Sequence, residues 1–307
     1  MIGVADTALH DRVRVALARN VVPPIRAFAE KLARDAGARA ALFYGSNLRS
    51  ESLDGVLDFY ILTPGEPERG LWPRVSYHEY TAPDGSELRA KVATMTLAMF
   101  TVAASGELVD TTIWARFVQP SGLAWVADDA AAGQVVAAVS QAAVTAARFA
   151  TALGPPAGTP DDYWRALFQA TYRAEFRIEK PGRENDILGV NREHFAGLLP
   201  LALAAGGIAF ARDGDVITPR LSAETRASLR RRWGLRRRLG KFYGVARLVR
   251  ASTTFEGAAR YAAWKVERHT GVPVVVTPWV ERHPVLAAPG VLWRVWRARR
   301  VQSGKTA

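Results

Sequence analysis

The chain has 307 residues, about twice a common domain size, which leaves room for one large domain or two modest ones, each with its own core. Its net charge is +12 and is unevenly placed: residues 1–215 carry 21 basic and 25 acidic side chains, whereas residues 216–307 carry 20 and 4. An apolar content of 49% with nine tryptophans excludes a disordered chain, and the lack of cysteine excludes a disulfide framework, a thiolate nucleophile and a cysteine-ligated metal.

Asp6, His10, Asp11 and Arg12 break up the first dozen residues, so no apolar secretory segment is expected there. The longest uncharged runs, 130–147 and 195–211, are shorter than the ~20 residues of a spanning helix, and a cytoplasmic protein, soluble or surface-attached, is the expectation. Helical spacing over 9–36, interrupted at Pro23-Pro24, predicts two helices, the second starting near Pro24. RAALFY over 39–44 predicts a buried strand entering a tight turn at Gly45, and VLDFYIL over 56–62 predicts a second strand; the polar stretch 46–55 between them reads as a loop. Residues 75–81 and 88–94 flank Ala82-Pro83-Asp84-Gly85-Ser86 as a hairpin.

A helix is expected over 96–105, a strand over 123–127, and a long alanine-rich helix over 128–153. Gly154-Pro155-Pro156-Ala157-Gly158 stops that helix and marks the best domain boundary in the chain. Beyond it, 161–176 and 191–205 read as helices and 208–218 as a small hairpin turning at Asp213-Gly214, an order that suits a winged-helix-like module. Residues 221–250 hold ten basic side chains and one acidic, and Ser252-Thr253-Thr254 is expected to open a further helix over 255–269. VLWRVWRARR follows over 291–300.

The chemistry-bearing stretch is Leu42-Phe43-Tyr44-Gly45-Ser46 followed, after a polar loop, by Asp58-Phe59. Gly45 permits backbone approach to a triphosphate, and the Ser46 hydroxyl and nearby amides can donate to phosphate oxygens. Asp58 on the adjacent strand is a hard oxygen ligand suited to Mg2+ bridging those phosphates. A tight turn and a strand-edge aspartate are the plainer reading of the same residues. Strand, Gly-Ser turn and strand-borne aspartate together form the signature of the nucleotidyltransferase superfamily with its polymerase-beta-like palm. That superfamily carries a second carboxylate two residues after the first; here the position is Tyr60.

The stretch YGSNLRSESLDGVLDFYIL resembles the mitochondrial-type phosphatidate cytidylyltransferases, the translocator assembly and maintenance family, which show a YGSG turn and an LDF strand with one aspartate. Four further elements follow in the family's order: the strand beginning at Lys91, the stretch around Arg116, Tyr172-Arg173-Ala174-Glu175-Phe176-Arg177, and Arg250-Ala251-Ser252-Thr253. Asn47 stands where the family has a second glycine, and Glu175 where it has aspartate. The resemblance implies transfer of CMP from CTP to phosphatidic acid, giving CDP-diacylglycerol and pyrophosphate, with Mg2+, at a membrane surface. It implies Tyr44, Gly45, Ser46, Asn47 and Lys91 at the nucleotide, Asp58 and Glu175 at the metal, and Lys91 and Arg116 on phosphate charge.

Each of these has an ordinary alternative. Lys91 and Arg116 also read as surface cations, and Glu175 and Arg177 as a solvated helix pair. Arg250, Ser252 and Thr253 read as a helix N-terminus suited to an anion or to capping alone. His78, His194 and His269 have no paired metal spacing and read as structural. Arg230-Arg231-Arg232 and Arg236-Arg237-Arg238 would suit a nucleic-acid backbone, but Trp293, Arg294, Trp296 and Arg297 alternate as in a segment lying in a headgroup layer. An anionic lipid surface is therefore preferred over nucleic acid.

The expectation is an α+β protein. It places a nucleotidyltransferase palm at 1–153, a winged-helix-like helical domain at 159–240 and a basic membrane-associating region at 241–307, attached to the inner face of the cell membrane. An RNA-directed or small-substrate nucleotidyltransferase, or a non-catalytic nucleotide- or lipid-binding relative, is the alternative.

Overall fold

The computed structural model describes residues 4–174, 183–254, 257–270, 272, 274–282, 290 and 293. The protein has a mixed α+β fold. Two helices open it, α1 (Val4–Leu17) and α2 (Pro23–Asp35), the second with proline in its first turn, where no backbone donor is lost. β1 (Ala40–Tyr44), the short helix α3 (Ser46–Ser50) and β2 (Leu57–Thr63) follow. The hairpin β3 (Arg74–Thr81) and β4 (Glu87–Thr96) leads into α4 (Leu97–Ala104), whose cap Thr96 accepts from the Met99 amide at 3.1 Å. Next come α5 (Thr112–Phe117), β5 (Ser121–Val126) and the 25-residue α6 (Asp129–Leu153), capped by Asp128.

The five strands form one sheet in the order β3-β4-β2-β1-β5, with β2 and β4 parallel and every other pair antiparallel. Both faces are covered, which is why β1 and β2 read as continuous apolar runs rather than as alternating patterns. Ala41, Phe43, Phe59, Ile61 and Val92 pack under α2. Ala40, Leu42, Tyr60, Leu62 and Met95 belong to the opposite, larger core, built around α6.

After the turn at 154–158 the chain forms α7 (Pro160–Ala174), α8 (Arg183–Val190), α9 (Arg192–Phe195) and α10 (Leu198–Ala205). The hairpin β6 (Phe210–Asp213) and β7 (Val216–Pro219) precedes the 32-residue α11 (Ala223–Thr254), then α12 (Ala258–Thr270) and α13 (Pro278–Arg282). Buried residues on both sides of the 154–158 turn, among them Trp114, Phe149, Trp164, Leu199 and Trp233, form one contiguous core. α6 is the described helix long and apolar enough to cross a membrane, longer than the uncharged run alone suggested, but 67% of its most apolar window is buried inside this core.

Several expectations are corrected. The polar stretch after Gly45 contains α3, tied by Arg49 to the Gly45 carbonyl and by Ser50 to the Ser46 carbonyl. The helix expected over 191–205 divides into α9 and α10 at Gly197, which has a φ of 73° that favours glycine. Ser252-Thr253-Thr254 opens no helix: these residues are the end of α11, since nothing from Gly244 to Thr254 interrupts helical backbone and the chain turns instead at Gly257, at a φ of 77°. Arg250, Ser252 and Thr253 thus sit at a carbonyl end, where the helix dipole disfavours an anion.

Much of the basic run is used internally. Arg226 and Arg230 each donate at 2.9 Å to the Thr151 and Ala152 carbonyls in the last turn of α6. Arg232 donates to the Gly106 carbonyl, and Arg236 to Gly106 and Leu108, with its guanidinium 4.7 Å from the Phe149 ring centre. These carbonyls follow helix C-termini, where orphan acceptors and the dipole both favour cations. Arg236 is buried, whereas Arg231, Arg237 and Arg238 are exposed. Replacing Arg236 by alanine removes the donor to the Leu108 carbonyl, one of two donors to the Gly106 carbonyl and the contact with Phe149, so Arg236→Ala is expected to lower unfolding free energy in urea by about 1–3 kcal/mol. Arg231→Ala is expected to stay within about 0.5 kcal/mol of the parent.

Candidate active site

The site is built on one row of the sheet. Tyr44 pairs with Ser121 on β5 and with Asp58 on β2; Asp58 pairs with Lys91 on β4, and Lys91 with Tyr77 on β3. Residues directly opposite across paired strands share a face, so Ser121, Tyr44, Asp58, Lys91 and Tyr77 line up across all five strands on the α6 side. Two residues along β2 on that same face, Tyr60 is 2% exposed, and its ring lies 5.2 Å from Phe117 and 6.5 Å from Phe100. A carboxylate at this position would be buried among aromatic rings, at a high desolvation cost.

Gly45 closes the row at the end of β1 with φ 96° and ψ −164°, and a Cβ there would lie 3.4 Å from Asp58 Oδ2. The turn is glycine because the backbone is in the left-handed half of φ space and passes directly against the carboxylate. Ser46, exposed, begins α3. Asn47 turns its side chain to the loop, donating to the Ser52 carbonyl at 2.9 Å and the Asp54 carbonyl at 2.7 Å. Its place in the motif is therefore to clamp the loop that leads to β2.

Arg116 arrives from α5, donates to the Tyr44 hydroxyl at 2.6 Å and sits 4.8 Å from that ring's centre. Burial raises the Asp58 carboxyl above its ordinary range, opposed by the charges of Lys91 and Arg116. Burial also lowers the Lys91 ammonium; Asp58 pulls it back up, while Arg116 and Lys265 lower it further. Lys91 is exposed to water beside the half-buried Asp58. Among the described residues, neither the Asp58 carboxylate nor the Lys91 ammonium has a hydrogen-bond or ion-pair partner.

Tyr44, Gly45, Ser46, Asp58, Lys91 and Arg116 are thus brought together. Glu175, Arg177, Arg294, Trp296 and Arg297 lie outside the described residues, and Arg250, Ser252 and Thr253 are described in backbone alone. Trp293 is 55% exposed. His194 hydrogen-bonds the Val118 carbonyl at 2.9 Å and is held neutral, its pKa lowered to about 4 by burial, while His78 meets Ser76 Oγ at 2.8 Å. Both act within the fold. The side chain of His269 lies outside the described residues.

Sequence reasoning did not find Tyr77, Tyr261, Lys265 and Arg268. The Tyr77 and Tyr261 rings are 5.5 Å apart, which lays α12 along β3, beside Lys91. Helical spacing of Tyr261 and Lys265 was visible, but which strand that helix meets is a tertiary matter.

The donor set was tested against Mg2+. A lone carboxylate between cations makes no all-protein cage, but Mg2+ commonly takes one or two carboxylates with the rest of its shell from substrate phosphates and water. Asp58 in this cationic setting fits that mode. No protein-family model matches the chain, and no curated protein matches it.

Because Asp58 supports the Lys91 ammonium, Asp58→Asn is expected to lower the Lys91 pKa, and Arg116→Gln to raise it. Acetylation of Lys91, followed by peptide mass spectrometry across pH, is expected to shift to lower pH in the first variant and to higher pH in the second.

Proposed function

We propose that the protein is a nucleotidyltransferase that moves CMP from CTP to phosphatidic acid at an anionic membrane surface. One observation carries this reading. A single half-buried carboxylate, Asp58, lies against the Gly45 turn beside the charges of Lys91 and Arg116, a cationic setting suited to a polyphosphate. The particular substrates come from the resemblance of the 44–62 stretch to the phosphatidate cytidylyltransferases.

In this reading the Ser46 hydroxyl and the amides opening α3 donate to phosphate oxygens of the triphosphate, and Gly45 leaves room for them. Lys91 and Arg116 neutralise charge on the α-phosphate and on the departing pyrophosphate. Asp58, with Glu175, would hold Mg2+, which when bound supplies a positive charge shared among the phosphate oxygens. A phosphate oxygen of the lipid attacks the α-phosphorus, a new P–O–P bond forms, and the α–β bridging P–O bond breaks as pyrophosphate leaves. The lipid phosphate is already an anion, so no strong base is required. Tyr44 holds Arg116 in place.

The chain divides by role into a catalytic part at 1–153, a winged-helix-like part at 159–240 and a membrane-facing part at 241–307. Surface composition supports the last assignment. Among the described residues, Phe242, Val275, Trp279 and Trp293 are large apolar side chains left exposed in this part, and Leu235, Arg237 and Arg238 are exposed just before it. Apolar and cationic groups side by side suit an anionic headgroup layer.

The test is a radiolabelled-CTP assay with phosphatidic-acid liposomes and Mg2+. Label is expected in the lipid fraction, and Asp58→Ala is expected to reduce it ~100-fold or more. Label in RNA instead of lipid would favour the RNA-directed alternative, and CTP binding without turnover the non-catalytic one.

A further inference from the structure

Helix α12 crosses the open side of the row described above. At its start Gly257 backs directly onto β3, with room for no side chain: a Cβ there would lie 2.8 Å from the Tyr77 carbonyl oxygen. One turn on, the Tyr261 ring meets the Tyr77 ring at a tilt of 51° with centres 5.5 Å apart, Tyr77 being the register partner of Lys91, and Trp264 lies over Arg89 at 6.0 Å. Arg89 and Lys91 are two apart on β4 and share a face. At its far end the helix reaches the loop before β2, where a Cβ on Gly55 would be 3.5 Å from Arg268 Nη1. Lys265 lies between these two anchor points, its Nζ 5.1 Å from the Tyr261 ring centre.

The charges along this path do not balance. Asp58 is the one carboxylate of the row, against Lys91, Arg116 and, from α12, Lys265 with Arg268 beyond. Glu79 accepts from the Tyr77 hydroxyl at 3.1 Å and pairs with Arg89 at 4.0 Å, and Glu281 pairs with Arg260 at 2.9 Å, so both are engaged; Glu267 on α12 and Asp54 beside Gly55 lie toward the Arg268 end. On β3 and β4, α12 is held by the tilted contact of Tyr261 with Tyr77, by Trp264 over Arg89 and by burial of Ala259 and Ala263, none of which uses Lys265. Cations held close together by apolar contacts form a site for a multiply charged anion.

We propose that Lys265 is a phosphate-binding residue of this site, taking the terminal phosphates of the nucleoside triphosphate and the pyrophosphate that leaves. This rests on the nucleotidyltransferase reading and extends it: the wall of the site opposite Arg116 is supplied by the C-terminal part of the chain. Pairing with Lys91 on β4, Lys265 meets the end of the polyphosphate that Arg116 does not reach. The same chemistry would also suit the phosphate monoester of a lipid headgroup, so both anions are probed.

Calorimetric titration of the full chain with inorganic pyrophosphate and with CTP, beside co-sedimentation with phosphatidylcholine vesicles containing phosphatidic acid, separates the sources. Lys265→Ala is expected to weaken pyrophosphate and CTP binding about tenfold or more, Lys265→Arg to retain most of it, and vesicle binding to be unchanged. Acetylation footprinting of the unaltered protein is an independent check, with pyrophosphate expected to protect Lys265. Unchanged pyrophosphate affinity in Lys265→Ala with no protection of Lys265 would overturn the proposal. So would a loss confined to vesicle binding, which would assign Lys265 to the headgroup. Parent protein that binds pyrophosphate through Lys265 without transferring CMP would sink the proposed activity and leave this site standing. CMP transfer undiminished in Lys265→Ala, with unaltered pyrophosphate affinity, would do the reverse.

Discussion

Close approach to α6 is the constraint on which the rest of the molecule depends. Its inner positions are largely alanine, with Ala138, Ala142, Ala146 and Ala150 fully buried, and small side chains let neighbouring elements come near on every side. α1, α4, α5, α7, α10 and α11 all pack on it, and its start lies against β1 and β5. Packing of this density tolerates little change in volume. Two consequences reach the site. α5 is pressed between α6 and the sheet, which aims Arg116 at Tyr44. α11 is fastened along α6 by Arg226, Arg230 and Arg236, which sets where α12 begins.

The second constraint is strand register. A slip of one residue between β2 and β4 would send Lys91 to the α2 face and leave Asp58 opposite an apolar side chain. The register holds because the flanking positions alternate between two cores: Phe59 and Val92 on one side, Tyr60 and Ala93 on the other. The same packing leaves no room for a carboxylate two residues beyond Asp58. On this sheet the α6-side face turns into solid aromatic core there, and Tyr60 belongs to that core. Polar chemistry is confined to the one row where the strands end and the Gly45 turn begins.

What the amino-acid sequence disclosed follows from which interactions are local. β1, β2 and the glycine turn were legible because strands buried on both faces leave uninterrupted apolar runs, and a left-handed turn leaves a glycine. α6 was legible from alanine content and its Gly-Pro stop. α5 was not, because six residues are too few to display a period even though Ile113 and Trp114 are fully buried. The end of α11 was misplaced because hydroxyl residues that favour a cap also tolerate a helix interior, and only Gly257 against Tyr77 decides where the turn falls. Arg236 looked like part of a surface for a polyanion, yet its partners are carbonyls more than a hundred residues earlier. Lys265 carried no signal of its own, since its meaning depends on which strand its helix meets.

The basic excess of the C-terminal part thus has three separate physical uses. Arg226, Arg230, Arg232 and Arg236 satisfy helix-end carbonyls within the fold. Arg231, Arg237 and Arg238 stay in water near exposed apolar side chains. Lys265 and Arg268 lie on α12, whose Tyr261 meets Tyr77 of β3. Here Lys265 opposes the Lys91 charge, with Asp58 as the single carboxylate of the row. An anion bound as proposed between Lys91 and Lys265 would bind the helix as well as the strand, and its binding energy would then also tighten α12 on β3, where Tyr261 meets Tyr77.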